Sequence, residues 1–172
     1  MGSNFPSFTD RAVTEEAVDQ FAAPIGHLII HFAFADQVLD FLLIELFEAG
    51  LKRGVETSMP HQLGHKIEIV RKCHRLDPRL NAAAKSIDDA LDTIKRWSDV
   101  RNALAHGALT HFDDSSEPTL VMGRLRYDKK TSKFGYLDQP VTLADIGQAV
   151  DQVSDAVAAL HRVVALLMRS DP

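Results

Sequence analysis

At 172 residues, with 45% apolar and 25% charged side chains, the chain is long enough for one domain with a hydrophobic core and is ordinary for a globular protein. Its net charge of -5 argues against a broad, non-specific nucleic-acid binder, while leaving room for a local basic groove. Cys73 is the only cysteine, which excludes an intramolecular disulfide and a thiolate metal cluster and fits a reducing cytoplasm.

Residues 1–12 lack periodicity and read as a flexible arm ahead of a single helical domain over 13–172. Met1–Asp10 lacks the charged start and apolar run of a signal peptide. A first helix is expected near Thr14, broken or kinked by Pro24 and Gly26. A stronger helix follows from about Ile25 to Ala49, apolar at Ile25, Leu28, Ile29, Phe32, Leu39, Leu43 and Leu46. Phe34, Val38, Phe41, Leu42 and Ile44 make its opposite side apolar too. Burial on both sides is therefore expected, one side by a second subunit. This run is long enough to span a bilayer, but His27, His31, Asp36, Asp40 and Glu45 interrupt it, so a buried helix is expected and no membrane contact.

A second helix is expected at about 61–76, punctuated by Pro78. A third, about 79–106, turns Leu80, Ala84, Ile87, Leu91, Ile94, Trp97 (or Ser98) and Ala105 inward, and Gly107 sits where a C-terminal cap glycine belongs. Thr119–Tyr127 and Lys133–Leu137 flank the turn-rich Asp128–Ser132 and predict a β-hairpin over about 118–138. A lone hairpin is marginal, so it must lie against the helices. Thr142 and Asp145 form an approximate capping box for the last helix. Along that helix Ile146, Val150, Val153, Val157, Leu160, Val164 and Leu167 make one seam. The predicted fold class is all-α: a four- to five-helix bundle with a β-hairpin inserted before the last helix.

The chemistry concentrates at the end of the third helix. At about 100° per residue, Asn102 and His106 share a face, Ser98 lies one turn earlier, and Asp99 is almost in line with His106. Arg101 is turned about 140° from His106, a gap that a long guanidinium stem partly covers. Histidine is the side chain whose unperturbed pKa suits acid or base work near neutrality, and arginine pairs with phosphate oxygens through two parallel hydrogen bonds. Together they suit attack at a phosphate, with the 2'-hydroxyl of RNA as nucleophile and no metal required. The competing explanation is structural, because arginine and histidine also complement the carbonyl end of a helix.

The string Arg101-Asn102-x-x-x-His106, ending a helix and followed by Gly107, resembles the R-x(4-6)-H signature of the HEPN superfamily. The segment Ile25–Asp36 looks like that family's first core helix, with an acidic residue at about the place of Asp36. The resemblance implies a metal-independent endoribonuclease working as a homodimer whose two motifs line one cleft. It also implies a toxin or defence role, with a cognate antitoxin as partner. Arg101 and His106 would be the catalytic pair and Asn102 a polar helper. Asp36, Asp99 and Ser98 are candidate supporting residues; Asp36 is expected to be buried, with Arg101 a candidate partner, a pairing that would equally suit a purely structural role for Arg101. Other members of the family are non-catalytic nucleotide- or protein-binding modules, which is the alternative here.

Two further constellations compete. His27 with His31, and His61 with His65, are spaced to aim two imidazoles from one helix face, and with Asp36, Asp40 or Glu45 would build a metal-binding bundle. No His-Glu-x-x-His or Glu-x-x-His string accompanies them, and no metal site is assigned. Cys73 beside His74 is not a ready thiolate pair, because adjacent helical residues diverge; a semi-buried structural cysteine is expected. In the hairpin, Arg124, Arg126, Lys129 and Lys130, together with Lys133, interleave with Tyr127, Phe134 and Tyr136 and are candidate RNA contacts. A charged, edge-protecting hairpin is the competing explanation for that cluster. No Gly-rich phosphate loop, nucleophile elbow or kinase signature is present, so no nucleotide cofactor is expected.

Overall fold

A computed structural model describes residues 15–48, 58–113, 116–128 and 132–169. The chain is mainly helical and carries one small antiparallel sheet. The order is α1 (Glu15–Glu48), α2 (Leu63–Cys73), 3-10 turns at His74–Leu76 and Pro78–Ala83, α3 (Ala84–His106), β1 (Ala108–Asp113), β2 (Thr119–Asp128), β3 (Lys133–Thr142) and α4 (Leu143–Met168). The expected arm at 1–12 lies outside the described residues, as does the end of the first helix at Gly50.

One expectation about α1 is corrected. Pro24 and Gly26 do not interrupt it: one helix runs through both. Proline lacks the N–H that would reach the carbonyl of Gln20. Buried Phe21 and Leu28 on either side hold the helical course across that gap. Within the single chain one side of the helix is buried and the other is open. Phe32, Ala35, Leu39, Leu42, Leu43 and Leu46 are buried, while Ile30, Phe34, Phe41 and Ile44 stand exposed. By length and composition alone, Asp19–Glu48 is apolar enough to cross a membrane.

The chain divides into two compact units. One comprises Met1–Ile29 and Asp99–Ala149 and contains the sheet. Its core takes Phe21 and Leu28 from α1, Ala103 from α3, Leu120, Met122 and Val141 from the sheet, and Ile146 and Ala149 from α4. Phe21 meets Phe112 of β1 edge-on, with ring centroids 6.2 Å apart. The other unit comprises Ile30–Ser98 and Val150–Pro172, and its described part holds helices and 3-10 turns joined by short loops, with no strand. Ile67, Val70, Ile87, Leu91, Ile94, Val153, Leu160 and Leu167 are among its buried residues. Trp97 Nε1 donates to Gln152 there at 2.9 Å, tying α3 to α4. Near the end of α3 the inward residue is Ala103, and Ala105 is exposed, the reverse of the simple extension of the Leu91–Ile94 stripe.

The β-element is larger than a hairpin. β1 pairs with β2 and β2 with β3, all antiparallel, and the order is β1-β2-β3. β1 follows α3 with only Gly107 between them. The Gly107 N–H donates to the Ala103 carbonyl at 2.7 Å. A Cβ at position 107 would overlap that same oxygen and stand 3.4 Å from the Gly123 carbonyl oxygen of β2. The glycine is therefore demanded by close backbone approach rather than by a left-handed turn. At the far end, the Thr142 hydroxyl accepts from the Asp145 N–H at 3.0 Å, and the Asp145 carboxylate accepts from the Thr142 N–H at 3.0 Å, a complete capping box for α4.

Candidate active site

The seamless passage from α3 through Gly107 into β1 fixes the geometry of the site. Ala108 pairs with Gly123, so β2 is held in register with the end of α3. Arg124, the next residue of β2, lies on the sheet face that carries Leu120 and Met122, and its guanidinium donates to Asp99 Oδ1 at 3.2 Å. Two residues assigned to different roles on sequence thus form one pair: Arg124, a candidate RNA contact, and Asp99, a candidate support. Their link joins positions 25 apart in sequence, which helical spacing alone does not reveal.

Arg101 donates through Nη1 to Asn102 Oδ1 at 2.9 Å. The guanidinium is thereby drawn toward the stripe that Asn102 shares with His106, which narrows the angular gap expected on the bare helix. His106 is exposed and ends the helix, about 6 Å along the axis from Asn102 and about 10 Å from Asp99. Its ring has no hydrogen-bond partner among the described residues. The arrangement is a strip of Asp99, Asn102 and His106 with a guanidinium bound at each of the first two.

Both guanidiniums have capacity left. The Nε atoms of Arg101 and Arg124 are buried and have no hydrogen-bond partner among the described residues. A buried N–H donor left unpaired is costly, and such donors in native proteins call for a partner. A planar guanidinium is suited to pair with carboxylate or phosphate oxygens.

The remaining predicted residues fall elsewhere. Ser98 donates its hydroxyl to the Lys95 carbonyl of its own helix at 2.7 Å. Asp36 is neither buried nor bound as expected: its side chain is 43% exposed and accepts from Lys66 Nζ at 2.9 Å. Lys66, 5% exposed, also bridges to Asp40 at 2.7 Å. Burial alone would lower the lysine pKa, but the hydrogen bonds to Asp40 and Asp36 outweigh it and hold the ammonium above its ordinary value. Sequence reading missed Lys66, because a lone lysine in a helix normally faces solvent. Arg126 occupies the β2 position opposite Gly135, and Lys129 and Lys130 lie outside the described residues.

Among the described residues no group of three or more His, Cys, Asp or Glu is placed to hold a metal ion. His27, His61 and His65 are exposed, and His31 lies edge-on to Phe34 with centroids 6.3 Å apart. Cys73 is fully buried rather than half-buried, and that burial pushes its thiol up, away from nucleophilic use. A groove of about 600 Å³ in the helical unit is lined by Lys85, Asp89, Thr93, Arg96, Gln152 and Asp155, among others, and includes none of the candidate residues. Comparison of the chain with models of known protein families, with curated proteins and with solved structures finds no match.

Proposed function

We propose that the chain is a HEPN-like, metal-independent endoribonuclease: a four- to five-helix bundle acting as a homodimer, with Arg101 and His106 at its reactive centre. The observation that carries this reading is the pair of guanidiniums on the Asp99–Asn102–His106 strip, each with a buried, unused Nε donor. An exposed imidazole on that strip supplies proton transfer next to an anion site.

In the proposed reaction the RNA 2'-hydroxyl attacks the adjacent phosphorus, and the bond from phosphorus to O5' breaks. The products are a 2',3'-cyclic phosphate and a 5'-hydroxyl. His106 moves a proton, either from the attacking hydroxyl or to the departing oxygen. Arg101 stabilises the charge that builds on the pentacoordinate phosphate, where donors already in place cost no reorganisation. Asn102 positions Arg101 through its side-chain oxygen, and Arg124 contributes the second cation that orients the backbone. A toxin or defence role in the cytoplasm, with an antitoxin as partner, belongs to the same proposal.

A second reading keeps the anion site without the chemistry. No described residue orients the His106 ring, an arrangement that suits a nucleotide-binding module as well as an enzyme. Mixed RNA incubated with the protein in excess EDTA separates the two. Cleavage by the wild type, lowered by about 10²-fold or more in folded His106→Ala, is the expected result. Equal cleavage by both proteins would remove His106 from the reaction. Intact RNA in both, with nucleotide binding that Arg101→Ala abolishes, would establish the binding module instead.

A further inference from the structure

We infer that the open stripe of α1 pairs, in reversed orientation, with the same stripe of a second copy of this chain, about a two-fold axis between Phe34 and Gln37. The inference fixes a contact, an orientation and a register, and it stands whether or not the chain cuts RNA. Ile30, Phe34, Phe41 and Ile44 are 51%, 47%, 38% and 43% exposed. With exposed Gln37 they alternate steps of four and three residues, the spacing of a seam that is filled by another helix. The opposite side of α1 is already packed within the chain, at Phe32, Leu39, Leu42 and Leu46.

The polar residues along the stripe select the occupant. His27 and Glu45 are separated by about five whole helical turns, so they lie on the same flank of the stripe, one near each end. A two-fold axis perpendicular to the helices keeps each flank on its own side. Reversal therefore brings the His27 imidazole of each copy beside the Glu45 carboxylate of the other, and the stripe carries its own counter-charge. In the same register Ile30 meets Phe41 and Phe34 meets Gln37 of the second copy. A parallel pair would set like against like: Phe34 on Phe34, Phe41 on Phe41, and exposed Glu48 facing Glu48 within the seam. Moving the axis to lie between Gln37 and Phe41 would put Ile30 against Glu48 and lose the pairing of His27. Gln37 also argues against lipid as the occupant. Near the axis the two amides stand about 4.5 Å apart along the helices, each with donors and an acceptor for the other, whereas a hydrocarbon layer would leave both unpaired.

The test traps the pair by mild oxidation of the full-length protein. Cys73 is buried, so cysteines introduced on the stripe report alone. Ile30→Cys with Phe41→Cys in one chain should give a disulfide-linked dimer. Either change alone should not, because in the reversed pair each position lies about 16 Å along the helix from its own counterpart, beyond the reach of a disulfide. A second measurement leaves the apolar seam untouched. His27→Glu sets two like-charge pairs across the axis and should raise the concentration at which the dimer half-dissociates in sedimentation by about tenfold; adding Glu45→Lys should restore it. Cross-linking by either single variant would mark a parallel pair and overturn the inference. So would a doubly substituted dimer that does not cross-link, or a Glu45→Lys change that fails to rescue His27→Glu. A wild type that is monomeric at every concentration would overturn the pairing altogether.

Discussion

At the scale of single residues, Gly107 governs whether the site exists. It carries no reactive group, yet its missing Cβ lets the Ala103 and Gly123 carbonyl oxygens close on the junction of α3 and β1. Both obstructing atoms belong to backbone, which cannot swing aside as a flexible side chain would. Gly107→Ala should therefore destabilise the protein by about 2 kcal/mol, the scale of overpacking in a tight interior, and a fall in the urea midpoint at constant slope would show it. In the fraction that stays folded, cleavage should fall too, because the same junction sets the register that carries Arg124 to Asp99. An alanine variant as stable as the wild type would mean that the junction relaxes freely. The position of the glycine was legible in sequence, because glycine after a run of helical periodicity marks a stop. Its reason was not, since the Gly123 carbonyl comes from a strand whose register only tertiary structure supplies.

At the scale of elements, local signals were readable and long-range ones were not. Thr142 and Asp145 are three residues apart, and their reciprocal bonds are written in that spacing. β1 escaped notice because Ala108–Asp113 is short, mixed in character and only partly buried, so its strand state rests on pairing with β2. The tie between α1 and α2 was equally hidden: Asp36 and Asp40 read as companions of histidine or Arg101, while their partner is Lys66. That tie has a testable asymmetry. Lys66 is buried, whereas the two carboxylates remain about two-fifths exposed and can return to water. Asp36→Asn with Asp40→Asn leaves a buried ammonium uncompensated and should cost about 3 kcal/mol. Lys66→Met leaves two hydrated carboxylates and an apolar chain of similar length, and should cost about 1 kcal/mol or less. Because the folded pKa of Lys66 is raised, its contribution is fully present below the unfolded value of about 10.5 and is lost only as pH rises through the higher folded value. Chemical denaturation of the two variants near neutral pH decides the matter; equal losses would show that the lysine is not the constrained partner.

At the scale of the whole molecule, the bare side of α1 is the feature that a single chain does not explain. Ile30, Phe34, Phe41 and Ile44 are exposed, with exposed Gln37 between the phenylalanines, and the steps of four and three residues make a seam of the coiled-coil kind. A second copy presenting the same seam about a two-fold axis would bury it, and such interfaces are self-complementary by construction. Phe34→Glu with Phe41→Glu places like charges near the axis on both copies and should turn dimer into monomer in sedimentation at micromolar protein. Both positions are solvent-facing, so the fold should survive. If two motifs line one cleft, cleavage should fall with the dimer. Activity lost through dissociation should return as protein concentration is raised, whereas activity lost through damage to the site would not. A wild type that sediments as a monomer throughout defeats the seam. Because α1 also has the length and apolarity of a membrane span, flotation with vesicles gives the competing outcome: wild type that floats, and a glutamate variant that does not, would assign the seam to lipid rather than to a second copy.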